Sequence, residues 1–141
     1  MKETIYIALG VVGAFIAEAL GGWDAALTTL LVFMGIDYVS GLTVAGIFHR
    51  SPKSKGGALE SKAASKGLIR KGMALLVVLI GARLDMLTGM HYIRDGVVIA
   101  FCANELLSII ENMGLMGVPI PDPIINAVEL LKTRKERDKN E

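Results

Sequence analysis

The sequence predicts an all-α, polytopic membrane protein: four apolar helices, the first of marginal length, followed by a short C-terminal amphipathic helix. Three observations carry that expectation. Long apolar runs alternate with short charged segments in a chain that is 52% hydrophobic, with a mean hydropathy of +0.52. The formal net charge is only +1, yet the basic residues gather in two segments. The single cysteine, Cys102, excludes an internal disulfide and with it a stapled secreted scaffold.

The four apolar runs cover about residues 5–20, 25–48, 68–87 and 92–113. A spanning helix needs ~20 mainly apolar residues, and its backbone must satisfy its own hydrogen bonds in lipid. The second, third and fourth runs meet that length. The first is short and carries Glu18 near its end. Its outline, with Lys2 before it and Ala17-Glu18-Ala19 closing it, is also that of a signal peptide. A second apolar run follows after only Gly21-Gly22-Trp23-Asp24, and a tight helical hairpin with Trp23 at the membrane surface explains that spacing.

Charge placement predicts the orientation. The central loop, about residues 49–67, and its edge into the third run hold Arg50, Lys53, Lys55, Lys62, Lys66, Arg70 and Lys71 against one acid, Glu60. The tail holds Lys132, Arg134, Lys135, Arg137 and Lys139, whereas the connection after the third run holds only Arg94. The positive-inside rule places the basic loop and tail in the cytoplasm, with both termini inside if there are four spans. With three spans the N-terminus lies outside. The basic loop has no interleaved aromatic residues, so it suits topology and anionic headgroups rather than nucleic acid.

Residues 1–113 thus form a membrane domain, and residues 114–141 a second part. The stretch Gly114 to Pro121 breaks the fourth helix. Asp122 and Pro123 then begin an amphipathic helix over about residues 122–133, with Ile124, Ala127, Val128 and Leu131 on its apolar side. A charged, fraying tail is expected beyond it, with the helix on the cytoplasmic surface or against the loop.

The informative residues are those that lipid disfavours. An ionisable group at the centre of a spanning helix costs ~2.5–3.5 kcal/mol on insertion scales. Glu18, Asp37, Arg83, Asp85, Glu105 and Glu111 fall in or near the apolar runs. Asn104, Ser108, Glu111 and Asn112 share a helical face, with Glu105 beside it. Asp37, Gly41 and Ala45 share another, where small residues allow close helix contact. Arg83 is the only basic group expected deep in the bilayer, and its forked donors suit Asp37 and Glu105 as partners. The expected polar seam is therefore Asp37, Gly41, Arg83, Asp85, Asn104, Glu105, Ser108 and Glu111. Asp24, Arg94 and Asp95, at helix ends, are read as structural only. His49 and His91 flank opposite ends of the runs and make no joint metal site. No phosphate-binding loop, dinucleotide fingerprint or hydrolase motif occurs, so neither an enzyme nor a cofactor is expected.

These segments, in order, resemble phage holins of the toxin-secretion and phage-lysis family, which includes clostridial toxin-export holins. The resemblance covers about residues 31–131. Its pieces are Asp37-Tyr38-Val39-Ser40-Gly41-Leu42, then Ser61 to Lys71 with Lys66-Gly67 and Arg70-Lys71, then Ala82-Arg83-Leu84-Asp85. Asn104-Glu105 and Ser108-Ile109-Ile110-Glu111-Asn112 follow, and then the Gly117 to Pro121 break. Many members carry an uncharged residue at the position of Arg83, and the N-terminal hairpin varies. The resemblance implies homo-oligomers in the bacterial inner membrane. These open timed lesions that let an endolysin reach the cell wall or let a toxin or other cargo leave. A proton-coupled small multidrug transporter using Glu18 is the rival reading. The long central loop and the small number of aromatics around Glu18 count against it. A purely structural membrane partner is a further alternative.

Overall fold

The computed structural model describes residues 1–140; Glu141, the last residue of the expected tail, lies outside the described residues. Among the described residues there are five helices and no strand: α1 (Lys2–Ala19), α2 (Ala25–Gly46), α3 (Ser61–Thr88), α4 (Ile93–Leu115) and α5 (Asp122–Asn140). α4 lies between α2 and α3, α5 runs along α4, and α1 contributes no buried residue and touches only α3.

Two boundaries differ from the sequence expectation. α3 starts at Ser61, so residues 61–67 belong to a helix and not to the loop. No Gly or Pro interrupts Glu60 to Lys66, and the Ala64 amide already donates to the Glu60 carbonyl. An apolar run reports lipid-compatible length, whereas helical propensity carries the helix past it. α5 likewise continues to Asn140 where a frayed tail was expected. Arg137 and Lys139 in its last turn complement the helix dipole.

The core joins Leu27, Leu30 and Met34 of α2 to Val78 of α3 and to Val98 and Cys102 of α4, with Leu20 closing one end. Around it the usual polarity is inverted. Asp37, Ser40, Arg94 and Asn112 are buried, while Val32, Ile36 and Val39 of α2 and Leu76, Val77 and Ile80 of α3 face outward. A water-soluble bundle places these classes the other way round, and an apolar exterior of this extent suits a lipid medium. Among the described residues only α2 is long and apolar enough by itself to cross a membrane, with a mean hydropathy of 1.6. α1, α3 and α4 each carry three or more charged side chains.

The turn between α1 and α2 is held by Arg94, which the sequence marked only as a helix-end residue. Its guanidinium is buried, and Nε donates to the Leu20 carbonyl at 2.6 Å. Nη2 donates to the Gly22 carbonyl at 3.0 Å, and Nη1 meets Asp24 Oδ2 at 2.6 Å. Asp24 also caps α2 by accepting from the Leu27 amide at 2.9 Å. From the last turn of α3, Asp85 accepts from the amides of Ile93 and Arg94, both at 3.0 Å. Asp85 thus holds the start of α4 and does not enter the expected seam. Two glycines make room for this clasp. Gly21 has φ +95° and leaves space for Arg94, whose Cδ and Nε lie 2.6 Å from where a Cβ would stand. Gly81 lets α3 approach α4, since a Cβ there would lie 3.1 Å from Arg94 Cα.

Two predictions follow from the clasp. Gly21→Ala should cost about 1–3 kcal/mol, through strained backbone and displacement of Arg94. Gly10→Ala, in open space on α1, should not destabilise; thermal unfolding in detergent separates the two. The Arg94 guanidinium, through its hydrogen bond, holds the Asp24 carboxyl below the usual carboxylate range. Its stabilisation is complete at neutral pH and is lost as pH falls past the ordinary carboxylate value toward the lowered one. Asp24→Asn should therefore flatten the acid-side fall of the melting temperature.

Candidate functional site

A second polar centre lies about halfway along the bundle and is built on Asp37. The α2 register that points Leu30 and Met34 into the core also turns Asp37 inward. In lipid or in a packed interior such an anion requires partners. α3 supplies Lys71, whose Nζ lies 2.6 Å from Asp37 Oδ2 and 2.6 Å from Glu105 Oε2 of α4. These side chains are 14%, 6% and 14% exposed for Lys71, Asp37 and Glu105. α4 also supplies Asn112, whose Nδ2 donates to Asp37 Oδ1 at 3.1 Å and to Ser40 Oγ at 2.9 Å. The Ser40 hydroxyl in turn donates to the Asp37 carbonyl at 3.1 Å. Among the described residues no buried side-chain nitrogen or oxygen lacks a partner.

The trio forms the floor of an open cleft of about 600 Å³. Tyr38 and Gly41 of α2, Phe101 and Ser108 of α4, and the loop residues from Ser51 to Glu60 wall it. Lys66 and Arg70 lie at its edge. Two carboxylates share one ammonium, so the trio carries one excess negative charge when all three are ionised.

Of the expected seam, the structure brings together Asp37, Gly41, Asn104, Glu105 and Ser108 around this cleft. Arg83 is not among them: it is exposed and reaches only Met86 Sδ, at 3.6 Å. Arg83 stands twelve residues from Lys71 along α3, about 18 Å at 1.5 Å per residue, and so belongs to the opposite end of the bundle. Glu111 is exposed, and Asn104, also exposed, accepts from Lys135 Nζ of α5 at 2.7 Å. α5 therefore lies against α4. Gly41 is not at a tight helix contact, since a Cβ there would meet only Asn112 Nδ2 at 3.7 Å. Lys62 is exposed on the first turn of α3, and Trp23 is exposed at the hairpin tip. Glu18 is exposed on α1 and lies outside the cleft, so the transporter reading finds no support. Among the described residues no cluster of three or more His, Cys, Asp or Glu side chains is placed to hold a metal.

Lys71, expected in the basic loop, and Arg94, expected as a structural helix-end residue, take central roles instead, and a depth count finds the first. Asp24, Asp85 and Arg94 mark one end of α2, α3 and α4. Thirteen residues on from Asp24 is Asp37, fourteen back from Asp85 is Lys71, and eleven on from Arg94 is Glu105. Antiparallel helices at 1.5 Å per residue bring these three to nearly one level.

Residues 14–133 match the sequence profile of the bacteriophage holin family. The chain is 35% identical, over 92% of its length and 96% of the relative's, to an uncharacterised 14.9 kDa protein encoded in the nagH 3′ region of Clostridium perfringens. It is 32% identical to an uncharacterised protein of Listeria monocytogenes, over 89% of this chain and 85% of that one. It is 29% identical to a probable holin of Bacillus phage phi105, over 79% and 77% of the two chains. No solved structure matches.

Removing the shared cation tests the site's energetics. Lys71→Met leaves two carboxylates facing each other and should cost about 3–5 kcal/mol of stability in detergent. Adding Glu105→Gln should restore much of that loss, because Asp37 keeps its bond from Asn112.

Proposed function

This chain belongs to the bacteriophage holin family, and from that premise we propose that it acts as a holin, gathering in the bacterial inner membrane and opening timed lesions that release an endolysin. Escape of a toxin or other protein cargo is the same lesion put to another use. In this reading the chain crosses the membrane several times with its basic loop and tail in the cytoplasm, and it works as a homo-oligomer without catalysis. The endolysin need not touch it.

The observation that supports a lesion-forming role is the Lys71–Asp37–Glu105 network, held inside a bundle with an apolar exterior. Buried ion pairs contribute little net stability but are costly to break singly. They suit a device with two arrangements. Within one copy the trio neutralises itself against neighbouring helices. In a dense array the same groups exchange to pairs between copies, and the polar walls of the cleft face water. Each elementary charge displaced across the membrane potential is worth ~2.3 kcal/mol per 100 mV, which makes such an exchange sensitive to depolarisation.

Expression in bacteria beside a soluble cytoplasmic endolysin tests this. Abrupt lysis after a delay, requiring both proteins and coinciding with loss of membrane potential, is the expected outcome. Asp37→Asn and Glu105→Gln should shift the delay by altering the trio. Steady growth with intact potential, despite confirmed membrane insertion, would remove the holin reading.

A further inference from the structure

The outward-facing charges mark how much of the molecule lipid can cover. On α1, Glu3 and Glu18 are both exposed and fifteen residues apart, about 22 Å along the helix. On α3, Arg70 and Arg83 are both exposed and thirteen residues apart, about 20 Å. On α4, exposed Asp95 and exposed Glu111 are sixteen residues apart, about 24 Å. The bundle's two interior polar layers repeat the spacing. The Arg94 clasp and the Lys71 trio stand eleven to fourteen residues apart along α2, α3 and α4. α2 is the longer exception: in its lower part Tyr38, Gly41, Leu42 and Ala45 line the cleft, while Val39 still faces outward.

The hydrocarbon core of a typical bilayer is ~30 Å thick. From this difference we infer that the protein presents a charge-free belt of only about 20 Å, with Leu68, Ile69, Met86 and Leu87 exposed just beyond its charged edges, and fits a bilayer thinner than the one around it. Arg70 and Arg83 recover a few ångströms by extending their guanidinium groups to the headgroups, whereas Glu3 and Glu18 are shorter and reach less. The remaining mismatch is relieved by thinning the adjacent lipid. When two copies meet they share one thinned zone, so mismatch draws copies together. The partner of this surface is the bilayer itself, recognised by its thickness. The thinned patch under a cluster is also where a lesion needs least work to open, a consequence that rests on the holin reading above.

Reconstitution of the full chain tests the belt directly. Copies labelled with donor and acceptor dyes are placed in phosphatidylcholine vesicles whose monounsaturated chains run from fourteen to twenty-two carbons, and energy transfer and release of a trapped dye are read together. Association should rise about tenfold from the shortest to the longest chains, since mismatch costs fractions of a kcal/mol per ångström. The double substitution Glu18→Leu with Arg83→Leu lengthens the belt on α1 and α3. Neither side chain takes part in the clasp or the trio, so the bundle should keep its fold. It should move the rise in association toward longer chains. Association that ignores chain length, or a double variant that tracks the parent curve, would overturn the belt. Thickness-dependent association without dye release in any bilayer would uphold the belt and count against the lesion reading instead.

Discussion

The bundle depends on the carboxylate of Asp37. It sits on the inward face of α2 in a molecule whose outward faces are apolar. A desolvated anion there must be answered by a cation and by hydrogen-bond donors. Lys71 answers from α3 and Asn112 from α4, and Glu105 takes the other side of the ammonium. One group thereby aligns three helices along their axes. A slip of a single turn, about 5.4 Å, would leave it unpaired.

Apolar packing alone sets no such register. Lipid tails are as apolar as Leu or Val, so helix association in a membrane draws on close contact and interhelical hydrogen bonds. The two polar layers divide that work. The Arg94 clasp ties the α1–α2 turn and the start of α4 to Asp24, with Gly21 and Gly81 giving the guanidinium and backbone room. The trio fixes the middle of the bundle. Between them lies the dry contact of Leu27, Leu30, Val78 and Val98. The same division bears on function: a lesion-forming protein must hold together as one copy and yet offer groups that gain by changing partners. A cation shared by two acids at the floor of an open cleft has that property, and a fully enclosed apolar core does not.

Much of this architecture was legible in the residues. Run lengths and turn residues located the helices, and helical spacing placed Asp37, Glu105 and Ser108 on faces that meet. The missing parts share a cause. Arg83 reads as the counter-ion because it lies inside an apolar run, and Lys71 reads as the loop edge because it closes a basic one. Hydropathy measures composition along the chain, whereas pairing depends on depth across the bundle. Arg94 reads as structural only for a similar reason: a residue at a helix end is near water only if no turn from another element folds over it, and the α1–α2 turn does. The pattern of α5 predicts a helix on the cytoplasmic surface or against the loop, with a frayed tail; the helix is largely exposed but continues to Asn140, and Lys135 ties it to Asn104 of α4.

The sequence by itself determined the all-helical class, the order of the helices, the breaks at Gly and Pro, and the presence of charge in segments where lipid makes charge expensive. These are local or periodic properties, and each is written within a window of a few turns. Only the tertiary structure decided which charges meet, which glycines must be glycine, and how much apolar surface remains outside once the polar layers are closed. Those follow from antiparallel helices lying side by side at a common depth. Lys71 stands thirty-four residues from both Asp37 and Glu105, and no local pattern specifies which of the several acids and bases come to share one level.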